Sequence, residues 1–226
     1  IYSFAFITLF FWLSKLFFEK QKFWKLILLS AIYAIIILIR PVNALIILLL
    51  PFIAGDKIAF FTGIKTIFNK HVWLISTLMV FLMILAIQPI IYKIQTGDFL
   101  VYSYGEEGFN FLSPHIKDFL FSYRKGLFVY TPVFLISLAG GYFIYRESKF
   151  RFYFLAGFLL ILVYVLSSWW QWYYGGSYSQ RVMIEYYAIP AVLIAYFLFN
   201  VKSRSLKKAY ILILSLLLLI NIIQSE

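Results

Sequence analysis

Three stretches gather polar and charged residues inside an otherwise apolar chain. The first is Arg40-Pro41-Val42-Asn43. Arginine keeps its charge when drawn out of water, and its planar fork grips a phosphate through two parallel hydrogen bonds. The competing reading is that Arg40 reaches up to lipid headgroups. The second stretch, residues 95–126, carries Tyr104, Glu106, Glu107, Asn110, His115, Arg124 and Lys125. A carboxylate in the turn Gly105-Glu106-Glu107-Gly108 could serve as a general base or hydrogen-bond a sugar hydroxyl, or it could simply be a solvated loop acid. The third stretch runs from Trp169 to Arg181, through Trp172-Tyr173-Tyr174-Gly175-Gly176 and Gln180, with Glu185 four residues beyond Arg181. An interfacial aromatic belt explains Trp169 and Trp170. It explains neither the glycine pair, suited to a turn or to close ligand approach, nor Gln180 and Arg181 directly after it. On an α-helix Glu185 would pair with Arg181, as a structural contact or to orient it toward an anion.

Together these types suit a ligand with a phosphate at headgroup level, a polar ring to stack on Tyr or Trp, and a lipid tail. A polyprenyl-phosphate-linked sugar has those parts. Cysteine is absent, and the two histidines, His71 and His115, are too few and too separated for a histidine-rich metal site. No cofactor is evident from the residues; a divalent metal stays open.

The elements that must position these residues are set by composition. Hydrophobic residues make up 64% of the 226, charged residues 13%, and the mean hydropathy is +0.91. A soluble domain has about half its residues apolar and about a quarter charged. Its surface could not absorb the excess; lipid can. The expected fold class is therefore all-α, a polytopic transmembrane helix bundle of about eight hydrophobic segments with an extracytoplasmic interfacial helix. The segments are residues 1–18, 26–39, 42–54, 72–92, 127–145, 152–168, 186–200 and 209–223. Residues 26–39 reach about 21 Å and residues 42–54 about 20 Å as α-helix, short of a bilayer core of about 30 Å. They read as a hairpin presenting Arg40 into an outer cavity. Residues 58–68 suggest an amphipathic interfacial helix. In the loop of residues 93–126, Ser113 suits an N-cap and Pro114 the first helical position. Ile116, Phe119, Leu120 and Tyr123 then recur at helical spacing, and Arg124-Lys125-Gly126 reads as the helix end. Residues 1–226 read as one transmembrane domain, with extracytoplasmic loops at 93–126 and 169–185. The chain starts at Ile1 within an apolar run, which suggests the C-terminal portion of a longer protein.

Orientation follows from the basic residues. With the first loop cytoplasmic, alternation places Lys15, Lys20, Lys22, Lys25, Lys57, Lys65, Lys70, Arg146, Lys149, Arg151, Lys202, Arg204, Lys207 and Lys208 inside. Arg40, Lys93, Lys117, Arg124, Lys125 and Arg181 fall outside. The net charge of +11 is then mostly a topology signal plus attraction to anionic lipid, and nucleic acid is not needed as a partner.

Leu38-Ile39-Arg40-Pro41, the stretch from Gly108-Phe109-Asn110-Phe111-Leu112 to Phe121-Ser122-Tyr123-Arg124-Lys125-Gly126-Leu127-Phe128, and Trp172-Tyr173-Tyr174-Gly175-Gly176-Ser177-Tyr178-Ser179-Gln180-Arg181 resemble bacterial polytopic glycosyltransferases of the GT-C fold. Among these the chain is most similar to membrane proteins grouped with the dolichyl-phosphate-mannose protein mannosyltransferase family. The resemblance implies a multi-pass protein of the bacterial inner membrane, a polyprenyl-phosphate sugar donor, and inverting transfer to a glycan, lipid or protein on the extracytoplasmic side. It implies a catalytic acid in a first extracytoplasmic loop that residues 1–226 lack, which leaves Glu106 and Glu107 as weak catalytic candidates. It also makes Arg40 and Arg181 candidates for the donor phosphate, and residues 173–180 a wall of the sugar site. The substrate-binding candidates are thus Arg40, Tyr104, His115, Arg124, Lys125, Trp172, Tyr173, Tyr174, Gln180, Arg181 and Glu185. An O-antigen-type polymerase or ligase, a transporter and a non-catalytic scaffold are the rival readings. The predicted spans carry almost no ionisable residues at the midplane, where transporters place coupling sites.

The alternation is testable: reporter fusions ending after Lys25 and after Lys125 are expected to report opposite sides of the membrane. A common side for both would refute the segment order.

Overall fold

The structure, a computed structural model, describes residues 2–101, 105 and 107–225. Among these residues the regular elements are helices, and one isolated antiparallel bridge joins Phe109 to Trp169. The chain divides into two compact units, Ile1–Glu107 and Gly108–Glu226.

In the first unit, α1 (Tyr2–Glu19) buries Ile7, Phe10, Leu13, Ser14 and Phe17, residues recurring every three or four positions along one face. α2 (Phe23–Ile39) is buried on several sides because it packs against both α1 and α5 (His71–Leu85). Phe10, Tyr33 and Phe81 stack through these three helices with centroids 5.7 Å apart at each step. Hydroxyls in this apolar packing find main-chain carbonyls: Ser30 donates to Thr77 at 2.7 Å and Tyr33 to Ala44 at 2.8 Å. The buried Lys25 ammonium donates to the carbonyls of Leu16 and Lys20, covering the open end of α1.

The break at Arg40-Pro41 falls where the sequence places it. Proline disfavours helical geometry in the residue before it, and Arg40 takes extended φ −154° and ψ 113°. From Pro41 to Leu49 the chain winds as a 3-10 helix, which runs into α3 (Leu50–Ala54). A 3-10 helix rises about 2.0 Å per residue, so this arm reaches roughly 25 Å instead of the 20 Å expected from α geometry. α4 (Lys57–Asn69) starts on the Asp56 carboxylate, which accepts from the Ala59 N–H at 2.8 Å. α6 (Ile87–Thr96) extends α5 past Ala86 and stops at Gly97. Neither α5 nor α6 buries a side chain within the chain.

The second unit holds α7 (Ile116–Phe121), α8 (Leu127–Tyr130), α9 (Pro132–Ser137), α10 (Ala139–Glu147), α11 (Lys149–Ser167), a 3-10 helix (Arg181–Tyr186), α12 (Ala188–Asn200) and α13 (Arg204–Ser225). α10 crosses α12 at Gly140, where a Cβ would lie 1.9 Å from the Leu193 carbonyl oxygen. Phe197 and Tyr210 stack at 3.9 Å, and Tyr210 donates to the Ile136 carbonyl at 3.2 Å, which seats α13 on α12 and α9.

Among the described residues four helices are long and apolar enough to cross a membrane: Tyr2–Glu19, His71–Thr96, Lys149–Ser167 and Arg204–Gln224. The expected segments 26–39, 42–54 and 186–200 form shorter apolar helices. The expected segment 127–145 is not one rod. Pro132 lacks the N–H that would continue α8, and the chain restarts as α9 and then α10. Residues 113–126 differ too. The helix begins after His115, not at Ser113-Pro114, and ends at Phe121, so Arg124 and Lys125 lie in the turn beyond it. Gly126 is not a left-handed helix stop, since its φ is −56°. Glycine is needed there because a Cβ would lie 2.5 Å from the Ser122 nitrogen.

Two glycines give a paired test of this packing. Gly140→Ala should cost about 1–3 kcal/mol in detergent melting by forcing α10 off α12. Gly157→Ala, mid-helix with no atom within 4 Å of the added carbon, should be neutral or stabilise by up to about 1 kcal/mol.

Candidate functional site

The second unit brings two of the three polar stretches together. The Phe109–Trp169 bridge is closed by Trp170 N–H on the Gly108 carbonyl, at 3.0 Å. Asn110 N–H donates to the Ser168 carbonyl at 2.7 Å, and His115 N–H to the Ser167 carbonyl at 2.9 Å. The end of α11 thereby supplies its open carbonyls to the preceding loop. Tyr164 reinforces the seam by donating to the Phe111 carbonyl at 2.7 Å.

Lys125 is the centre of what this seam positions. Its side chain is only 8% exposed. The ammonium donates to the Gly175 carbonyl and, at 3.3 Å, to the Ser177 hydroxyl. Gly175 has φ +76° and Tyr174 φ +50°, so the turn that aims this carbonyl is left-handed at two successive residues. The Arg124 guanidinium lies 3.4 Å from the Tyr173 ring centroid. Burial pushes the Lys125 ammonium below the ordinary lysine range, and the neighbouring charges of Arg181 and Arg124 push it further the same way. The Gln171 amide, donating to the Tyr173 hydroxyl at 3.0 Å, holds that phenol below its usual range, and Arg124 adds to the effect. Arg124 and Arg181 thus form with Lys125 a cationic group in which each arginine disfavours the lysine's charge.

Gln180 is 1% exposed, and among the described residues neither its amide oxygen nor its amide nitrogen has a hydrogen-bond partner. A primary amide buried without hydrogen bonds is costly, commonly about 1–3 kcal/mol for each polar group. On either side of it the chain is fixed. Ser179, at φ +47°, shares a 2.9 Å hydrogen bond with Thr131, and Arg181 opens the 3-10 helix. The same unit holds an apolar cavity of about 390 Å³, lined among others by Leu127 and Met183, each two residues beyond a member of the cationic group in sequence, and by Leu120, Phe128 and Leu193.

The other candidates play different parts. His115 stands 6.3 Å from Trp172, ring to ring, and 3.5 Å from the Asp118 carboxylate. Tyr174 turns inward, donating to the Leu166 carbonyl at 2.7 Å, and is a brace for the loop, not a wall open to ligand. Glu185 is half-buried on a 3-10 helix, where residues three apart eclipse. Arg181 is therefore in register with Ile184, with Glu185 one position further round the helix. Arg40 belongs to the first unit, half-buried where α2 gives way to the 3-10 helix, and its carbonyl accepts from the Asn43 N–H at 2.9 Å. Glu107 is half-buried at the end of that unit. Tyr104 and Glu106 lie outside the described residues. Among the described residues no group of three or more His, Asp or Glu is placed to hold a metal ion.

Sequence reasoning missed a second layer beneath the aromatic loop. Tyr178 donates to the Tyr130 carbonyl at 2.6 Å and stands 3.0 Å from the Gln224 amide oxygen. Asn221 donates to the same carbonyl and, at 3.2 Å, to the Tyr178 hydroxyl. The Tyr130 carbonyl lies at the break between α8 and α9, where the Phe134 N–H that would serve it in a continuous α-helix goes to the Thr131 carbonyl at 3.0 Å. The signal for this layer was Asn221 and Gln224, two amides in an otherwise apolar final segment.

Lys125→Met should cost about 1.5–3 kcal/mol through the two lost charge-assisted bonds and speed amide hydrogen exchange across residues 173–179. Unchanged exchange there would show that the ammonium does not hold the loop.

Comparison of the chain with family models, with curated proteins and with solved structures finds no match.

Proposed function

We propose that the chain is part of a multi-pass glycosyltransferase of the bacterial inner membrane, with a GT-C-like helical core. It would move a sugar from a polyprenyl-phosphate carrier to a glycan, lipid or protein on the extracytoplasmic side. The observation that carries this reading is the cationic group Arg124, Lys125 and Arg181 at the Tyr173 ring, in a unit that also holds an apolar cavity. One amphiphilic donor would use all three features. Its phosphate answers the mutual repulsion of the cations, its sugar finds an aromatic face, and its isoprenoid chain has an apolar cavity to enter.

The chemistry follows from charge. The acceptor hydroxyl oxygen forms a bond to the anomeric carbon as the bond from that carbon to the phosphate oxygen breaks. The electron pair leaves with the lipid phosphate, and the acceptor proton passes to a carboxylate base. Charge grows on the leaving phosphate, so cations already held in place stabilise the transition state more than the ground state. Arg124 and Arg181 supply that charge as planar donors; Lys125 supplies a point charge and fixes the loop.

Transfer from a labelled polyprenyl-phosphate sugar, measured in membranes, tests the reading. Arg181→Ala should lower transfer by about 10²-fold, the usual cost of one preorganised donor at a developing anion. Arg181→Lys should recover only part of it. Transfer equal to wild type in Arg181→Ala would remove this cluster from the mechanism.

A further inference from the structure

The first unit carries a second pairing of cations with an apolar cavity, and sugar transfer makes no use of it. The cavity, about 330 Å³, lies between α1, α2, α4 and α5. Each helix contributes the part next to a basic loop: Phe18 before Lys20, Leu26 after Lys22, Ile64 and Ile67 on either side of Lys65, and Leu74 after Lys70. The Thr66 hydroxyl donates to the Gln21 side-chain oxygen at 2.6 Å, which clips the first loop to α4. That contact brings the loop that carries Lys20 and Lys22 against the helix that carries Lys65, with Lys70 at the end of that helix.

All four lysines are exposed. The two described carboxylates nearest them in sequence are engaged elsewhere, Glu19 with Lys15 at 3.9 Å and Asp56 as the N-cap of α4. Aromatic side chains mark the same level: Trp24 is 51% exposed, Phe23 meets Trp73 at 5.7 Å, and the Lys70 ammonium stands 4.1 Å from the Trp73 ring. Tryptophan beside lysine is the composition of a membrane–water boundary.

The cavity walls fix the nature of the occupant. Four hydroxyls reach the lining, and three are bonded to carbonyls: Ser30 to Thr77, Tyr33 to Ala44, and Thr77 to Trp73 at 2.6 Å. The fourth, the Ser14 hydroxyl, has no partner among the described residues. Such a cavity offers water too few hydrogen bonds and accepts an apolar chain. We propose that the first unit binds one anionic phospholipid, its headgroup on Lys20, Lys22, Lys65 and Lys70 and one acyl chain in the cavity below. Zwitterionic phospholipid has the same chains without the net charge, so selectivity should come from the lysines and retention from the cavity.

Native mass spectrometry of the purified protein, titrated with phosphatidylglycerol and with phosphatidylethanolamine of identical chains, tests this site. Phosphatidylglycerol should be retained preferentially. The double variant Lys22→Gln/Lys65→Gln, at two exposed positions, should weaken its binding roughly thirtyfold and leave phosphatidylethanolamine unchanged. Ser14→Leu, which fills the cavity, should lower retention of both lipids while the charge preference persists. Equal binding of the two lipids, or an unchanged affinity in the double variant, would overturn the proposal. Glycosyl transfer is not part of the measurement, so its outcome is separate from that of the proposed activity.

Discussion

The contact on which the outer part of the second unit depends is the Lys125 ammonium on the Gly175 carbonyl. A buried ammonium must find acceptors, and here they belong to a turn fifty residues away in sequence. Satisfying that one group closes the loop after α11 onto the turn before α8. It also brings Arg181 and Arg124 close enough to lower the lysine's own proton affinity. The same bond that orders the loop therefore concentrates positive charge. In the same loop the Gln180 amide is buried without a hydrogen-bond partner among the described residues. Strain of this kind, with Tyr174 and Ser179 in left-handed geometry in the loop that leads to it, is stored where the surrounding structure over-determines it.

Proline does the complementary work. At Arg40-Pro41 and at Thr131-Pro132 an apolar run that could have been one helix is cut, and carbonyls beside each break are met by specific groups. The Arg40 carbonyl takes the Asn43 N–H, and the Tyr130 carbonyl takes Tyr178 and Asn221. In an apolar surrounding an unmet carbonyl costs several kcal/mol, so each break requires a local partner. That requirement explains Asn221 in the apolar run of α13.

The long helices were legible because hydropathy over about twenty residues is a strong signal: residues 1–18, 72–92, 152–168 and 209–223 became Tyr2–Glu19, His71–Thr96, Lys149–Ser167 and Arg204–Gln224. The proline break at residue 41 was legible for a local reason, the steric demand of the ring on the residue before it. The break at residue 132 was read through, because the apolar pattern continues across it and gives no hint that Tyr130 would be served from α13. That residues 181–186 wind as a 3-10 helix and not an α-helix was not legible, because spacing cannot distinguish the two geometries. Lys125 was legible as a cation near the interface but not as a buried one. Its burial depends on the left-handed turn at Tyr174-Gly175, which a sequence announces only as a permissive glycine pair.

The two units solve the same problem of charge beside apolar surface with different cations, and the difference has consequences for what each can recognise. The rim of the first unit is all lysine. Compact, strongly hydrated ammonium groups attract any nearby negative headgroup with little demand on its shape. In the second unit, two of the three cations are arginines, one of them stacked on Tyr173, and a guanidinium so held presents a fixed fork. A fork distinguishes a phosphate by geometry as well as charge, and it can tighten as charge develops during bond cleavage. On the proposed readings, lysine in the first unit and arginine in the second would divide the labour, with loose capture of anionic lipid on one unit and oriented grip of a phosphate on the other.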